Sequence, residues 1–163
     1  MLLTGIYGSG KSSVRRGDRL PARAAGEPYA LLDLDYPSWA GTGTGDRASE
    51  FGLMLHNLAA VAANYRRAGI RLFVLAYFVR TPREMQEVRE ALGLPLQVAR
   101  LTVRLPEIEQ RLAGDVTSGR RDDARAAASI AAGEGTGVED VVISNDRPIG
   151  VVARNVTTFL RWL

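Results

Sequence analysis

The segment from Gly5 to Ser12 constrains the fold of this chain more than any other part of the sequence. It consists of Gly-Ile-Tyr-Gly-Ser-Gly-Lys-Ser and matches the pattern G-x-x-x-x-G-K-[ST]. The mostly apolar residues 2–4 precede it and predict a short strand, and the residues from Lys11 onward predict a helix. A strand, a glycine-rich loop and a helix in this order open a parallel α/β fold, with the loop at the carboxyl edge of the sheet.

The chemistry of this loop is that of a phosphate site. Glycines let successive main-chain N–H groups point inward, and the following helix adds its positive amino-terminal end. Of the 21 basic residues 20 are arginine, so the single lysine, Lys11, stands where a compact ammonium is required. We expect Lys11 to reach the β- and γ-phosphates of a nucleoside triphosphate and the Ser12 hydroxyl to bind Mg²⁺. The residues predicted to bind the phosphates are Gly5, Gly8, Ser9, Gly10, Lys11, Ser12 and Ser13.

The rest of the chain alternates strand and helix patterns, which is typical of a parallel sheet covered by helices on both faces. Residues 71–79 form the clearest strand, because a parallel strand buried on both faces consists almost wholly of apolar residues. The predicted strands are residues 2–4, 29–33, 71–79, 96–105 and 141–144.

Helical patterns separate these strands. In the first of them, apolar side chains recur at spacings of three and four residues, which forms a single apolar face. In the second, Thr81 and Glu84 form a capping box around Pro82. We find neither an internal repeat nor a linker, so residues 1–163 are predicted to form one domain. The predicted helices are residues 47–68, 81–93, 106–112 and 148–163.

Composition narrows the class of protein. The chain has no cysteine, which excludes disulfides and thiolate chemistry. No apolar run approaches the ~20 residues that cross a bilayer, and residues 1–4 leave no room for a signal peptide, so we expect no membrane anchor and a cytoplasmic location. The net charge is +3, but the arginines are spread among 18 acidic residues, which argues against a nucleic-acid partner.

Asp33 and Asp35 lie where the second predicted strand ends. Alternate residues of an extended chain share a face, so we expect both carboxylates to point the same way while Leu34 packs on the other side. At the carboxyl edge of the sheet, one aspartate can orient or deprotonate an acceptor hydroxyl while the other holds Mg²⁺ or binds the substrate. A solvated strand end or a helix-capping aspartate is the alternative, but the nearby phosphate loop favours a functional pair.

The layout resembles that of the small P-loop kinases, which include the shikimate, gluconate, adenylylsulfate and chloramphenicol kinases and the adenylate-kinase-like enzymes. The resemblance depends on the phosphate loop at residues 5–12 and on the Asp-x-Asp at residues 33–35. It implies a three-layer α/β/α fold whose five parallel strands lie in the order 2-3-1-4-5. It also implies a kinase that uses ATP and Mg²⁺ to phosphorylate a hydroxyl of a small molecule, either a metabolite or an antibiotic.

Further site residues follow from this resemblance alone. It implies that Asp33 or Asp35 acts as the base or metal partner, and Asp33 with Ser12 is the predicted metal pair. It also implies a lid around residues 112–125 whose arginines neutralise the transferring phosphate, and a loop after the fifth strand that packs the adenine. The catalytic residues so implied are Lys11, Asp33, Asp35, Arg111, Arg120 and Arg121, and the adenine contacts are Arg147 and Pro148.

Several features leave alternatives open. No aspartate follows the third strand, so no Walker B carboxylate is visible, and Gly17 and Pro21 weaken the first helix. A non-catalytic ATP-binding sensor or switch is therefore one alternative, and a nucleotide or polynucleotide kinase is another. The guanine-binding motif Asn-Lys-x-Asp does not occur, which favours ATP over GTP. The acceptor and the oligomeric state, including a homodimer, stay open, and the lone His56 is interpreted as a helix residue rather than a catalyst.

Overall fold

The structure is a computed structural model that describes residues 1–6, 9–11, 27–35, 46–104, 106–108, 128–130 and 132–159. Its strands are β1 (Leu2–Thr4), β2 (Tyr29–Asp33), β3 (Leu72–Ala76), β4 (Val98–Thr102) and β5 (Val141–Ser144). They pair in parallel in one five-stranded sheet, in the order β2-β3-β1-β4-β5. The predicted strand order is confirmed, and the first strand of the chain lies at the centre of the sheet.

The sheet is covered by helices α1 (Arg47–Arg67), α2 (Pro82–Leu92) and α3 (Ile149–Phe159). The Thr81 hydroxyl caps α2 by accepting a hydrogen bond from the N–H of Glu84, as the predicted capping box requires. The Glu84 carboxylate, however, accepts from the N–H of Arg80 and not from that of Thr81. The same carboxylate pairs with Arg47 at 2.6 Å. It therefore ties the start of α1 to the start of α2.

Successive strand residues face opposite sides of the sheet and fill two separate cores. In β1, Leu2 packs into the core that also contains residues of α1 and α2, whereas Leu3 packs into the core that contains Val152 and Val156 of α3. Both leucines are fully buried. The neighbouring strands alternate in the same way, so the sheet carries helices on both faces, as predicted.

Strands β3 and β4 are shorter than predicted. β3 ends at Ala76, although residues 77–79 are as buried as the strand itself. The neighbouring strands end at the same level, β1 at Thr4 and β2 at Asp33. Beyond that level the main chain finds other partners, and the N–H of Val79 donates to the Thr4 hydroxyl at 3.2 Å. Burial alone overestimates strand length, because a buried segment need not belong to a ladder.

The helix predictions are confirmed where the chain is described. Helices α1 and α2 match their predicted bounds within about one residue at each end, and α3 begins directly after Pro148. Residues 106–108 are helical as predicted. The helix expected after Lys11 and the lid at residues 112–125 lie outside the described residues. None of the helices in the described part of the chain combines the length and the hydrophobicity that a membrane span needs.

Candidate functional site

The carboxyl ends of β1, β2 and β3 lie level at one edge of the sheet. The N–H of Leu34 donates to the carbonyl of Ala76 at 2.9 Å, and the N–H of Tyr77 donates to the carbonyl of Leu3 at 3.1 Å. These bonds join the ends of the three strands, with β3 in the middle. The acidic residues after β2 and the glycine loop after β1 therefore meet at the same edge.

Gly5 occupies a position that accepts no side chain. Its φ of 144° lies in the region that favours glycine. A Cβ at this position would lie 2.5 Å from the carbonyl oxygen of Leu101 in β4 and 2.7 Å from the hydroxyl oxygen of Ser9. Gly10 also has a positive φ, of 89°. The turn after β1 thus packs tightly against β4, and positive φ angles of this kind let main-chain N–H groups approach an anion without a Cβ in the way.

Lys11 lies inside this turn. Its Nζ donates to the carbonyl oxygens of Gly5, at 2.7 Å, and of Ile6, at 3.0 Å, and only 8% of the residue is exposed. Burial lowers the pKa of its ammonium to about 8, while the negative charges of Asp35 and Asp33 act in the opposite direction. The ammonium therefore stays mainly protonated at neutral pH. It interacts both with the loop carbonyls and with the carboxylates after β2.

Asp33 and Asp35 flank the buried Leu34, which is 1% exposed and packs into the core as predicted. β2 ends at Asp33, and the next two residues form a turn in which the N–H of Asp35 donates to the Asp33 carboxylate at 3.4 Å. A turn, rather than the predicted extended chain, brings the two carboxylates together. Burial raises the pKa of the Asp35 carboxyl, an effect that Lys11 opposes and Asp33 reinforces.

Asn145, which directly follows β5, is a site residue that the sequence analysis missed. Its side-chain Nδ2 donates to the carbonyl of Ser9 at 2.7 Å, and its main-chain N–H donates to the carbonyl of Thr102 at 2.8 Å. The residue is 4% exposed. Asn145 therefore fastens the glycine loop to the ends of β4 and β5. The available signal is a polar residue at the end of an apolar strand, which is also the signal that identified Asp33.

We expect Asn145→Asp to destabilise the protein more than Asn145→Ala does. Alanine leaves the buried carbonyl of Ser9 without this donor, which costs roughly 1–3 kcal/mol of unfolding free energy. Aspartate adds a negative charge that faces the same carbonyl, so we expect a larger loss and weaker binding of magnesium–ATP. Urea unfolding and titration calorimetry measure the two quantities, with Ser144→Ala at the exposed neighbouring position as the control. Wild-type stability in both Asn145 variants would contradict the structural role of this contact.

The remaining predicted site residues fall into two groups. Arg147 and Pro148 are exposed beyond β5, at the same edge of the sheet, and Arg147 Nε lies 4.0 Å from Oδ1 of Asp146. The second group lies outside the described residues, so its roles stay predictions: Gly8, Ser12, Ser13, Arg111, Arg120 and Arg121. His56 is exposed on α1, in agreement with its interpretation as a helix residue.

The described residues fit the phosphates of a nucleotide and a magnesium ion. The Ser9 hydroxyl is buried and has no hydrogen-bond partner in the described part of the chain, so the loop holds a polar group still to be satisfied. Mg²⁺ in phosphate sites needs only one or two carboxylates besides phosphate oxygens and water, and Asp33, the predicted metal residue, is a carboxylate at this edge of the sheet. Among residues that the structure describes, no larger cluster of acidic, histidine or cysteine side chains forms a metal site of its own.

Three solved structures show what this chain is similar to. A sugar kinase from Janibacter gives a TM-score of 0.71 at 17% identity, over 98% of this chain and 92% of that one. The shikimate kinase of Acinetobacter baumannii, solved with shikimate, gives 0.65 at 17% identity, over 98% and 91%. The APS kinase of Mycobacterium tuberculosis, solved with AMPPNP and APS, gives 0.65 at 21% identity, over 98% and 95%.

Comparisons that use the sequence alone, in contrast to those of the structure, give no match. No protein-family model matches the sequence, and no curated protein matches it either. The structural similarity nevertheless extends over nearly the whole chain and includes the strand order of the sheet. The chain therefore has the three-layer α/β/α fold of the small P-loop kinases.

Proposed function

We propose that this chain is an ATP-dependent phosphotransferase that acts on a hydroxyl group of a small molecule. The observation that carries the proposal is the position of Lys11, whose buried ammonium interacts with the glycine loop and with the aspartates after β2. Phosphoryl transfer depends mainly on positioning and charge neutralisation, and these elements supply both. The shared fold of the sugar, shikimate and APS kinases supports the same function.

The glycine loop and Lys11 form the phosphate-binding part of the site. Bound ATP supplies the phosphoryl group that is transferred and the ADP that leaves. The positive φ angles of Gly5 and Gly10 let main-chain N–H groups face phosphate oxygens without a Cβ in the way. The Lys11 ammonium exchanges its bonds to the loop carbonyls for stronger, charge-assisted bonds to phosphate oxygens.

We propose that Asp35 is the residue that interacts with the acceptor hydroxyl. Burial raises the pKa of its carboxyl, which moves it toward the range in which a general base works best at neutral pH. Asp35 orients the acceptor hydroxyl and takes its proton, while Asp33 and Ser12 hold Mg²⁺. The remaining proposed roles are charge neutralisation by the lid residues Arg111, Arg120 and Arg121 and adenine packing by Arg147 and Pro148.

Phosphate transfer from labelled ATP tests the proposal directly. We expect the purified protein, with Mg²⁺, to label at least one compound in a panel of sugars, sugar acids, antibiotics, nucleoside monophosphates and an oligonucleotide. The labelled compound also tells a small-molecule kinase from a nucleotide or polynucleotide kinase, and mass spectrometry confirms the gain of one phosphate. Binding of ATP without transfer to any member of the panel would contradict the proposal.

The segment after β3 favours a second candidate function, a non-catalytic ATP sensor. P-loop NTPases commonly hold Mg²⁺ with a Walker B aspartate, yet residues 77–79 are the buried, non-acidic Tyr-Phe-Val. A sensor needs no aspartate to orient an acceptor. It predicts that ATP changes the affinity for a partner protein, which pull-down with and without ATP measures, and that the transfer assay stays negative.

A further inference from the structure

A cavity of about 340 Å³ lies beside the start of the phosphate loop. Gly5 and Ile6 line it, and the carbonyl oxygens of these same residues accept hydrogen bonds from Lys11 Nζ. Arg100, Leu101 and Thr102 of β4 also line it. The cavity thus lies at the carboxyl ends of β1 and β4, and its volume is in the range of about 300–1,000 Å³ that small-molecule sites occupy.

The lining of this cavity is mainly apolar. Gly135 lets the loop after residues 128–130 approach closely, since its φ is 77° and a Cβ there would lie 2.8 Å from the Phe78 ring. Residues 133–136 of this loop line the cavity, and the hydroxyl of the exposed Thr136 donates to the carbonyl of Gly133 at 2.7 Å. The apolar residues of the lining are Ile6, Phe78, Leu101, Val103 and Ile130.

Among the described residues that line the cavity, each charged side chain belongs to an ion pair within the protein. Arg100 and Glu139 form the least exposed pair, with 21% and 12% of their side chains accessible. Because positive and negative charges cancel in this way, an ionised ligand would enter without a counter-charge, and burying an unpaired charge is costly. The pairs are Arg100–Glu139 at 2.9 Å, Arg80–Glu134 at 3.6 Å and Arg104–Glu107, with Arg104 Nε and Glu107 Oε1 at 2.9 Å.

From this lining we propose that the cavity binds the phosphate acceptor, and that the acceptor is an uncharged, mainly apolar alcohol. Its apolar body packs between Phe78 and Ile130, and its hydroxyl end lies at Gly5 and Ile6, whose carbonyl oxygens bind Lys11. Burial of apolar surface drives the binding, and the paired charges disfavour anionic compounds of the same shape. The identification of the ligand as the phosphate acceptor rests on the proposed kinase function, whereas the preference for an uncharged ligand does not.

The test compares two probes with the same skeleton, para-phenylbenzyl alcohol and para-phenylbenzoate, in the absence of nucleotide. Ligand-detected NMR titration measures the dissociation constant of each. We expect the alcohol to bind at least about tenfold more tightly than the carboxylate, because the carboxylate loses its hydration without gaining a partner. Equal or tighter binding of the carboxylate would overturn the proposal.

Variants test whether the alcohol probe binds in this cavity. Ile130→Trp and Thr136→Trp fill it from the exposed rim, and each should weaken binding of the alcohol by about tenfold or more. Val142→Trp, at an exposed position on β5 outside the cavity, is the matched control and should bind like the wild type. An alcohol affinity that neither cavity variant changes would overturn the proposal.

Glu139→Gln tests the role of charge pairing. Glutamine keeps an oxygen that can accept from the N–H of Val138, as Glu139 does at 2.9 Å, but it no longer neutralises Arg100. We expect the variant to bind the carboxylate probe about tenfold more tightly than the wild type does, with little change for the alcohol. No gain for the carboxylate would contradict the argument from paired charges.

The cavity proposal and the kinase proposal fail in different ways. Alcohol binding that the tryptophan variants block, in a protein that transfers no phosphate, would support the ligand preference and remove the kinase function. Transfer to an anionic acceptor, in a protein whose cavity does not bind the alcohol, would overturn the ligand preference and leave the kinase function standing.

Discussion

Replacement of Lys11 by alanine is expected to raise the dissociation constant for magnesium–ATP by about a hundredfold or more, because it removes the charge-assisted bonds to the phosphates. No second lysine exists in the chain to take over this role. Titration calorimetry measures the loss. Arg71→Ala is the control, since Arg71 is an exposed cation that precedes β3 and so lies at the opposite edge of the sheet. An unchanged affinity in Lys11→Ala would remove the basis of the proposed nucleotide site.

Loss of affinity in Lys11→Ala is not expected to reflect unfolding. The pKa of Lys11 falls from 10.5 to about 8 on folding, so the unfolded chain binds this proton more tightly than the folded one. Wild-type stability should therefore rise as the pH increases from about 8 to 10.5, and the alanine variant should lack this rise. Urea unfolding of both proteins across this pH range measures the difference. A parallel pH dependence of the two proteins would contradict the burial of the ammonium.

Asp35→Asn is expected to lower turnover by about 10²–10⁴-fold, the range that loss of a general base produces. Asparagine keeps the size of the side chain and removes its capacity to take a proton. The affinity for magnesium–ATP should change by less than about threefold, because the proposed role concerns the acceptor. Asp33→Asn should instead weaken magnesium–ATP binding together with turnover, since we place Asp33 at the metal.

Steady-state kinetics and calorimetry on the same preparations separate these roles. Glu90→Gln, the same change of carboxylate to amide on the exposed surface of α2, is the control and should behave like the wild type. Full activity in both aspartate variants would show that neither carboxylate takes part in the reaction. Equal loss of ATP affinity in both would contradict the division of roles between Asp33 and Asp35.

The centre of this fold was predictable because its signals are local. The glycine pattern that starts at Gly5 identifies both a strand end and a phosphate loop, and few other kinds of loop match this pattern. Likewise the sequence Asp-Leu-Asp predicts that Leu34 packs on the side away from the two carboxylates, and Leu34 is indeed buried. The strand order followed from resemblance to the small P-loop kinases, and the pairing of β1 with β3 and β4 agrees with it.

The missed features depend on contacts between distant residues. Asn145 donates to Ser9 across 136 positions of sequence, and neither residue shows this partner in its local pattern. The ion pair of Arg100 with Glu139 could not be predicted from the sequence either, because an arginine within a strand and a glutamate within a loop have many available partners. The turn at Asp35 also escaped prediction, since alternation in an extended chain and a tight turn both bring its carboxylate near that of Asp33. Local patterns predict elements, whereas tertiary packing decides these pairs.

The central position of β1 has a consequence for biosynthesis. Leu2 pairs with Leu75 on one side and with Val98 on the other, so β1 is synthesised well before either of the strands that flank it. Contacts between such remote segments form slowly, because a long loop has to close before they are made. A nascent chain that stops short of β4 carries the complete glycine motif but not the strand against which Gly5 packs. Nucleotide affinity should therefore emerge only after β4 has been synthesised.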